Sequence, residues 1–383
     1  MKVLVVGAGF AGSVYARVGA DAGHEVCVID AKPHLGGSAH DRMIEGLRVN
    51  DYGPHLFNTS NMRVVSWLSQ FTEWTPYTHA ARALLPSGDT IPFPLNLDSL
   101  DALKAAGYDT APSRPKVTIT KDTTARDWLA SIISDDLIDL FFARYVRKMW
   151  GISLDELPAK VVQRVHVREN RDSRSFPSAK FQALPRDGYA ALFANMLKHP
   201  RISIKLNQPY DHGMRRDFDM VFCSMPIDLF YDQTHGELPY RSVRFHTFSQ
   251  DVDPSQGCAT LNMTDLSTFT RKTYWQHVTG TGAAPFVTTF EEPCSPEQNG
   301  GARYYPMRTI GGAEDALLAK YQKMAEAEAQ SLKFIGRCGA FQYLNMDQVV
   351  GQSLQGATRH FGIAPKHASQ SQAMPQAVLQ ERM

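Results

Sequence analysis

The sequence lacks most of the features that announce a chemistry directly. Its 383 residues hold only five cysteines: Cys27, Cys223, Cys258, Cys294 and Cys338. They are odd in number, and no two have the spacing of a metal site or a redox pair. Free, buried thiols in a reducing compartment are expected, and no metal. An excess of charge of one sign is missing too, since 40 Lys+Arg face 39 Asp+Glu. No broad field is left to attract nucleic acid or an anionic membrane, so any anion must be met by local clusters of cations. No apolar run approaches the roughly 20 residues of a membrane span. The first such run, "VLVVGAGFAG", is broken by glycines and has no cleavage-site pattern, so it does not read as a signal peptide. Internal repeats, a Ser-His-Asp set and a close carboxylate pair are also missing. With 43% hydrophobic and 21% charged residues, a cytoplasmic globular protein is expected, and the length implies two or three domains.

What is present starts at the second residue. "KVLVV" reads as a β-branched strand, "GAGFAG" as a turn into a helix, and "HEVCVID" (24–30) as a second strand. Gly7, Gly9 and Gly12 then match G-x-G-x-x-G in the context that gives it meaning. The first allows the tight turn, the second lets backbone approach a pyrophosphate, and the third lets helix and strand pack closely. Asp30 closes the second strand, where an acid can bind a ribose hydroxyl. A further pair, Gly36-Gly37, follows in "AKPHLGG". That pair is typical of FAD proteins, so FAD is expected rather than NAD.

Residues 76–95 and about 220–305 read as short alternating strands, hence a largely antiparallel sheet. Residues 101–128 read as a loop-rich connection with Pro and Gly breakers. From Thr124 to Trp150 the pattern is helical, with an interruption near Ser134-Asp135 and an apolar stripe of Leu137, Phe141 and Tyr145. Ser153 and Glu156 fit a capping box. Residues 315–327 are helical again. "KFIGRCGAFQYLNMD" (333–347) reads as a strand, a glycine turn and a helix, with the strand returning to the first sheet. The polar end, residues 364–383, is expected to be mobile. "TGTGAAP" (279–285) has Pro285 where a third glycine should fall, so no second dinucleotide domain is expected.

The segments "VGAGFAG", "HLGGSAHD", "YGPHLFNT", "YVRKMWGISLDELPA", "FTRKTYW", "YYPMR" and "FIGRCGAFQYLNMD" together make residues 1–350 resemble the UDP-galactopyranose mutases. These flavoenzymes contract a six-membered galactose ring to the five-membered one. The resemblance implies a mixed α/β fold in three parts. A discontinuous FAD-binding Rossmann-like domain takes residues 1–75, 185–222 and 306–383. An inserted helical domain takes 96–184, with a mobile lid near 146–165, and an antiparallel-sheet substrate domain takes 76–95 and 223–305. It further implies that Trp150 is the lid tryptophan and that Arg164 and Arg271 close on the diphosphate. Paired, charge-assisted hydrogen bonds from two arginines suit a diphosphate leaving group in a way lysine cannot copy. Phe141, Phe142, Tyr145 and Asn262 are implied at the nucleotide, and Tyr305, Tyr343 and Asn345 nearer the phosphates. His55, Arg337 and Met346 are implied beside the flavin.

The implied reaction has no net redox change but requires reduced flavin, whose N5 attacks the anomeric carbon. Electrons would come from NAD(P)H or a reductase outside the chain, and a homodimer is expected. Three positions depart from the family pattern: Asn58 for a histidine, Ser175 for a tyrosine and Asn345 for an aspartate. They leave open another nucleotide sugar (6-deoxy, N-acetylated or heptose, on a dTDP or GDP carrier). An FAD-dependent amine oxidase-like enzyme is the alternative from another class.

Overall fold

The computed structural model describes residues 1–163, 167–280 and 284–363. The implied arginine Arg164, the expected mobile end and the middle of 279–285 lie outside them.

The N-terminal unit forms as the sequence predicts: strand Lys2–Val6, helix Phe10–Asp21 and strand Glu25–Ile29. It seeds a five-stranded sheet in the order 202–205, 25–29, 2–6, 220–223, 332–334, parallel throughout. Strand parity explains the apolar runs. Val3 and Val5 face a core shared with the first helix and helix Met346–Phe361, while Leu4 and Val6 face a second core on the other side. A sheet covered on both faces has no polar side to show. The late strand Leu332–Phe334 returns to this sheet against Val221–Cys223, as read from the sequence.

The wide sheet has seven strands in the order 305–306, 240–250, 286–294, 271–274, 260–262, 81–84, 90–93. One pairing in it, 260–262 with 81–84, is parallel. A three-stranded sheet of 57–59, 181–185 and 74–76 joins it to the first unit. Phe181–Pro185 spans the expected edge of the helical region, but Phe181 and Ala183 pack in the core of the parallel sheet.

The helical region differs from expectation at both ends. Residues 97–105, read largely as loop, form a helix with Asn96 and Ser99 closing a capping box. The sequence hides it because Pro92 and Pro94 precede it and the box uses Ser rather than Glu or Gln at the third position. Conversely, Ser153 and Glu156 start no helix. The Ser153 amide and hydroxyl both donate to Glu156 Oε2 and close a turn. The helix Arg144–Trp150 stops at Gly151, whose φ of 74° suits glycine, and Arg241 donates to the Met149 and Lys148 carbonyls at its end. The cations before Trp150 fasten this helix. Arg144 donates to Thr264 O, and Lys148 to Met263 O and Phe269 O.

One buried carboxylate ties the first unit to the site. Asp41, 3% exposed, accepts the Tyr189 and Ala190 amides at 2.7 and 2.9 Å, at the start of helix Gly188–Leu197. The Tyr189 hydroxyl in turn donates to His55 O at 2.8 Å. Asp41→Ala leaves two buried donors unpaired and is expected to cost about 2–4 kcal/mol, measured by urea unfolding.

Candidate functional site

At the carboxyl edge of the parallel sheet, backbone approaches backbone. Gly36 donates to Ala8 O at 2.9 Å, which brings the second glycine pair onto the first turn. A Cβ on Gly37, whose φ is 55°, would lie 3.1 Å from Gly9 Cα. One on Gly336 would lie 2.8 Å from Ala11 Cβ. Three glycine turns therefore converge on the N-terminus of the first helix and leave a groove that any side chain would fill. Gly12 is different: its Cβ would meet Gly7 O at 1.9 Å, so it serves the packing of helix on strand. Asp30 borders the groove and accepts the Ala8 and Lys32 amides at 2.8 and 2.9 Å. The Lys32 ammonium sits 3.8 Å from the centre of the Tyr52 ring, and burial lowers its pKa.

A second cavity, of about 400 Å³, opens beside the groove. His55, Arg337 and Met346 border both. Its far wall is the inner face of the wide sheet, where register aligns Asn262, Arg271, Glu291 and Phe245 in one transverse row. Arg271 Nε lies 3.1 Å from Glu291 Oε1. The two atoms face each other as charge against charge, without an aligned hydrogen bond. Burial works against the Arg271 cation, but Glu291 and the phenols of Tyr145, Tyr305 and Tyr343 outweigh it and raise its pKa. Burial raises that of Glu291, and Arg271 opposes the rise.

Tyr305 and Tyr343 stand 5.8 Å apart, with the Arg337 guanidinium 5.3 and 5.4 Å from their ring centres. Arg337 Nε also donates to Leu344 O at 3.0 Å, which fixes the turn leading to Asn345. Trp150 does not line the cavity; it packs behind the two tyrosines, 6.5 Å from Tyr305 and 5.8 Å from Tyr343. Phe141 and Phe142 lie in the core behind Phe93, which does line it. Tyr145 is in the same layer, and burial raises its pKa.

His55 donates from Nδ1 to Gly53 O at 2.8 Å. Burial first, then Arg337 and Arg271, push its pKa down to about 4. The departures Asn58, Ser175 and Asn345 all border the cavity. Asn345 also caps helix Met346–Phe361, a structural duty that an aspartate would perform equally.

Reading the sequence missed Glu291, His79 and Thr260, which all border this cavity. Glu291 had a usable signal: in "FVTTFEEPC" one of the two acids must share parity with the inward-facing threonine.

A parallel sheet with a glycine-lined groove at its edge, opening onto an arginine-bearing cavity on a second sheet, defines a Rossmann-type enzyme that holds a dinucleotide against a separate substrate. Residues 5–71 match the model of an NAD(P)-binding Rossmann-like domain, and residues 140–343 match that of UDP-galactopyranose mutase. The chain belongs to the UDP-galactopyranose mutase family and is an isomerase. It is 32% identical to a probable UDP-galactopyranose mutase of Klebsiella pneumoniae, over 93% of this chain and 94% of that one. It is also 32% identical to the dTDP-fucopyranose mutase of Escherichia coli, over 93% and 97%. The fold matches the crystal structure of a reduced UDP-galactopyranose mutase with a TM-score of 0.72, at 15% identity, over 96% and 95% of the two chains. Among the described residues no helix is long and apolar enough to cross a membrane.

His79 shares the fate of His55: burial, then Arg271, push its pKa down to about 4. Both pKa values are depressed below the unfolded value of about 6.5, so the unfolded chain takes up protons first as pH falls. Stability is therefore expected to be fully present above about pH 6.5 and to drop between there and about pH 4. Thermal unfolding across that window checks it: His79→Gln should flatten the slope.

Proposed function

We propose that the protein is a flavin-dependent mutase that interconverts UDP-galactopyranose and UDP-galactofuranose, for furanose-containing glycans. The observation that carries this reading is Arg271, a half-buried cation paired with Glu291 on the cavity wall that faces the groove across His55, Arg337 and Met346. FAD fits the groove, because Gly7, Gly9, Gly36, Gly37 and Gly336 line it with bare backbone beside the N-terminus of the first helix. Gly7, Gly9, Gly36 and Gly37 would take its pyrophosphate and Asp30 its ribose. Reduced FAD, with electrons from NAD(P)H or a reductase, supplies a nucleophilic ring nitrogen for the anomeric carbon.

The chain's own residues do the rest. Arg271 neutralises the diphosphate as its bond to the sugar breaks, and Tyr305 and Tyr343 offer phenolic hydrogens to the same oxygens. Glu291 keeps the guanidinium charged and oriented, and Asn262 sits beside it in the row. Arg337 packs the tyrosines against the flavin side. His55, neutral and tied to Gly53 O, shapes that wall without adding charge. Closure of the Trp150 segment with Arg164 would complete the diphosphate site and exclude water. A 6-deoxy sugar on dTDP is the second reading, favoured by equal identity to the dTDP-fucopyranose mutase. An amine oxidase-like reaction fits poorly, because an amine cation would meet Arg271 in the cavity.

Three outcomes are expected. The dithionite-reduced holoprotein should convert UDP-galactofuranose to the pyranose and the oxidised form should not, with products followed by chromatography. Arg271→Lys should lower kcat about 100- to 1,000-fold. Gly37→Ala should abolish FAD retention, read from the flavin-to-protein absorbance ratio.

A further inference from the structure

One corner of the substrate cavity carries polar groups that have no part in the proposed reaction. Thr260 borders the cavity, is 1% exposed, and its hydroxyl has no hydrogen-bond partner within the protein. Register puts it beside Ala81 on one side and Thr273 on the other, in the row next to that of Asn262 and Arg271. His79, 5% exposed, enters the same corner two residues before Ala81. Its ring is fixed through Nδ1, 3.0 Å from the Tyr77 hydroxyl, and its carbonyl accepts the Ser175 amide at 2.7 Å. Phe93, paired with Ala81, completes the corner with an apolar wall.

A buried hydroxyl with no partner costs free energy unless a ligand pairs with it. The Thr273 and Thr288 hydroxyls are also buried without a partner, but of the three only Thr260 borders the cavity, where a ligand can reach it. We propose that Thr260, with His79 beside it, reads a hydroxyl of the sugar, so that the substrate is a fully hydroxylated nucleotide hexose rather than a deoxy sugar. This rests on the mutase reading above and chooses between its two substrates. Burial supports the role, since it holds the His79 imidazole neutral, able to donate or accept from Nε2. A deoxy analogue would leave both groups desolvated and unpaired, which is how a site rejects a substrate that lacks a hydroxyl.

The test uses reduced holoenzyme with UDP-galactofuranose and its 2-, 3- and 6-deoxy analogues, comparing kcat/KM. In the natural protein, one deoxygenation should cost about 10- to 100-fold more than the others. In Thr260→Val the parent substrate should lose a similar factor and that one penalty should vanish, while Thr260→Ser restores both. Thr260→Ala serves in the same way if the valine variant does not fold. Equal penalties in natural protein and variant, or a loss in the variant that is uniform across all four sugars, would overturn the corner and leave the mutase reading standing. Preference for the 6-deoxy sugar in the natural protein would also overturn it. Conversion of none of the four, by a protein with intact and reducible flavin, removes the UDP-galactose reading and the corner together.

Discussion

The site depends on setting the half-buried guanidinium of Arg271 against the buried carboxylate of Glu291. A cation moved out of water loses several kcal/mol of solvation unless counter-charge and hydrogen-bond acceptors replace it. Glu291 supplies the counter-charge to Arg271 from the neighbouring strand. That arrangement constrains much else. The strands 271–274 and 286–294 must hold one register, because a slip of one residue between them would put the two partners on opposite faces. The histidines nearby must stay neutral, and burial next to a fixed cation keeps them so. The tyrosines must stand upright, and Trp150 behind them with Arg337 across their faces leaves little room to tilt.

What the sequence made legible follows from how local the cause was. The glycine-rich first turn was readable because each glycine answers a steric need of its nearest neighbours, and the apolar strands because both faces of their sheet are covered. The pairing of Arg271 with Glu291 was not readable. It is created by register between strands joined through a helix and a loop, and nothing in "FTRKTYW" points to "FEEPC". Thr260 escaped for a related reason: a threonine in a strand is unremarkable until its hydroxyl is found without a partner.

In the stretch around Trp150, Arg144 and Lys148 hold the helix to the loop after strand 260–262, and Arg241 caps its end. The tryptophan reaches the site through the tyrosines it supports.

His55, Arg337 and Met346 form a party wall between the two chambers. Whatever occupies one chamber presses on the same three side chains that the other occupant must meet. Thermodynamic reciprocity then applies: if the cofactor sharpens affinity for the nucleotide sugar, the sugar tightens the cofactor by the same factor. An empty groove would leave that wall unbuttressed, and the second chamber would lose whatever affinity the wall's fixed shape gives it.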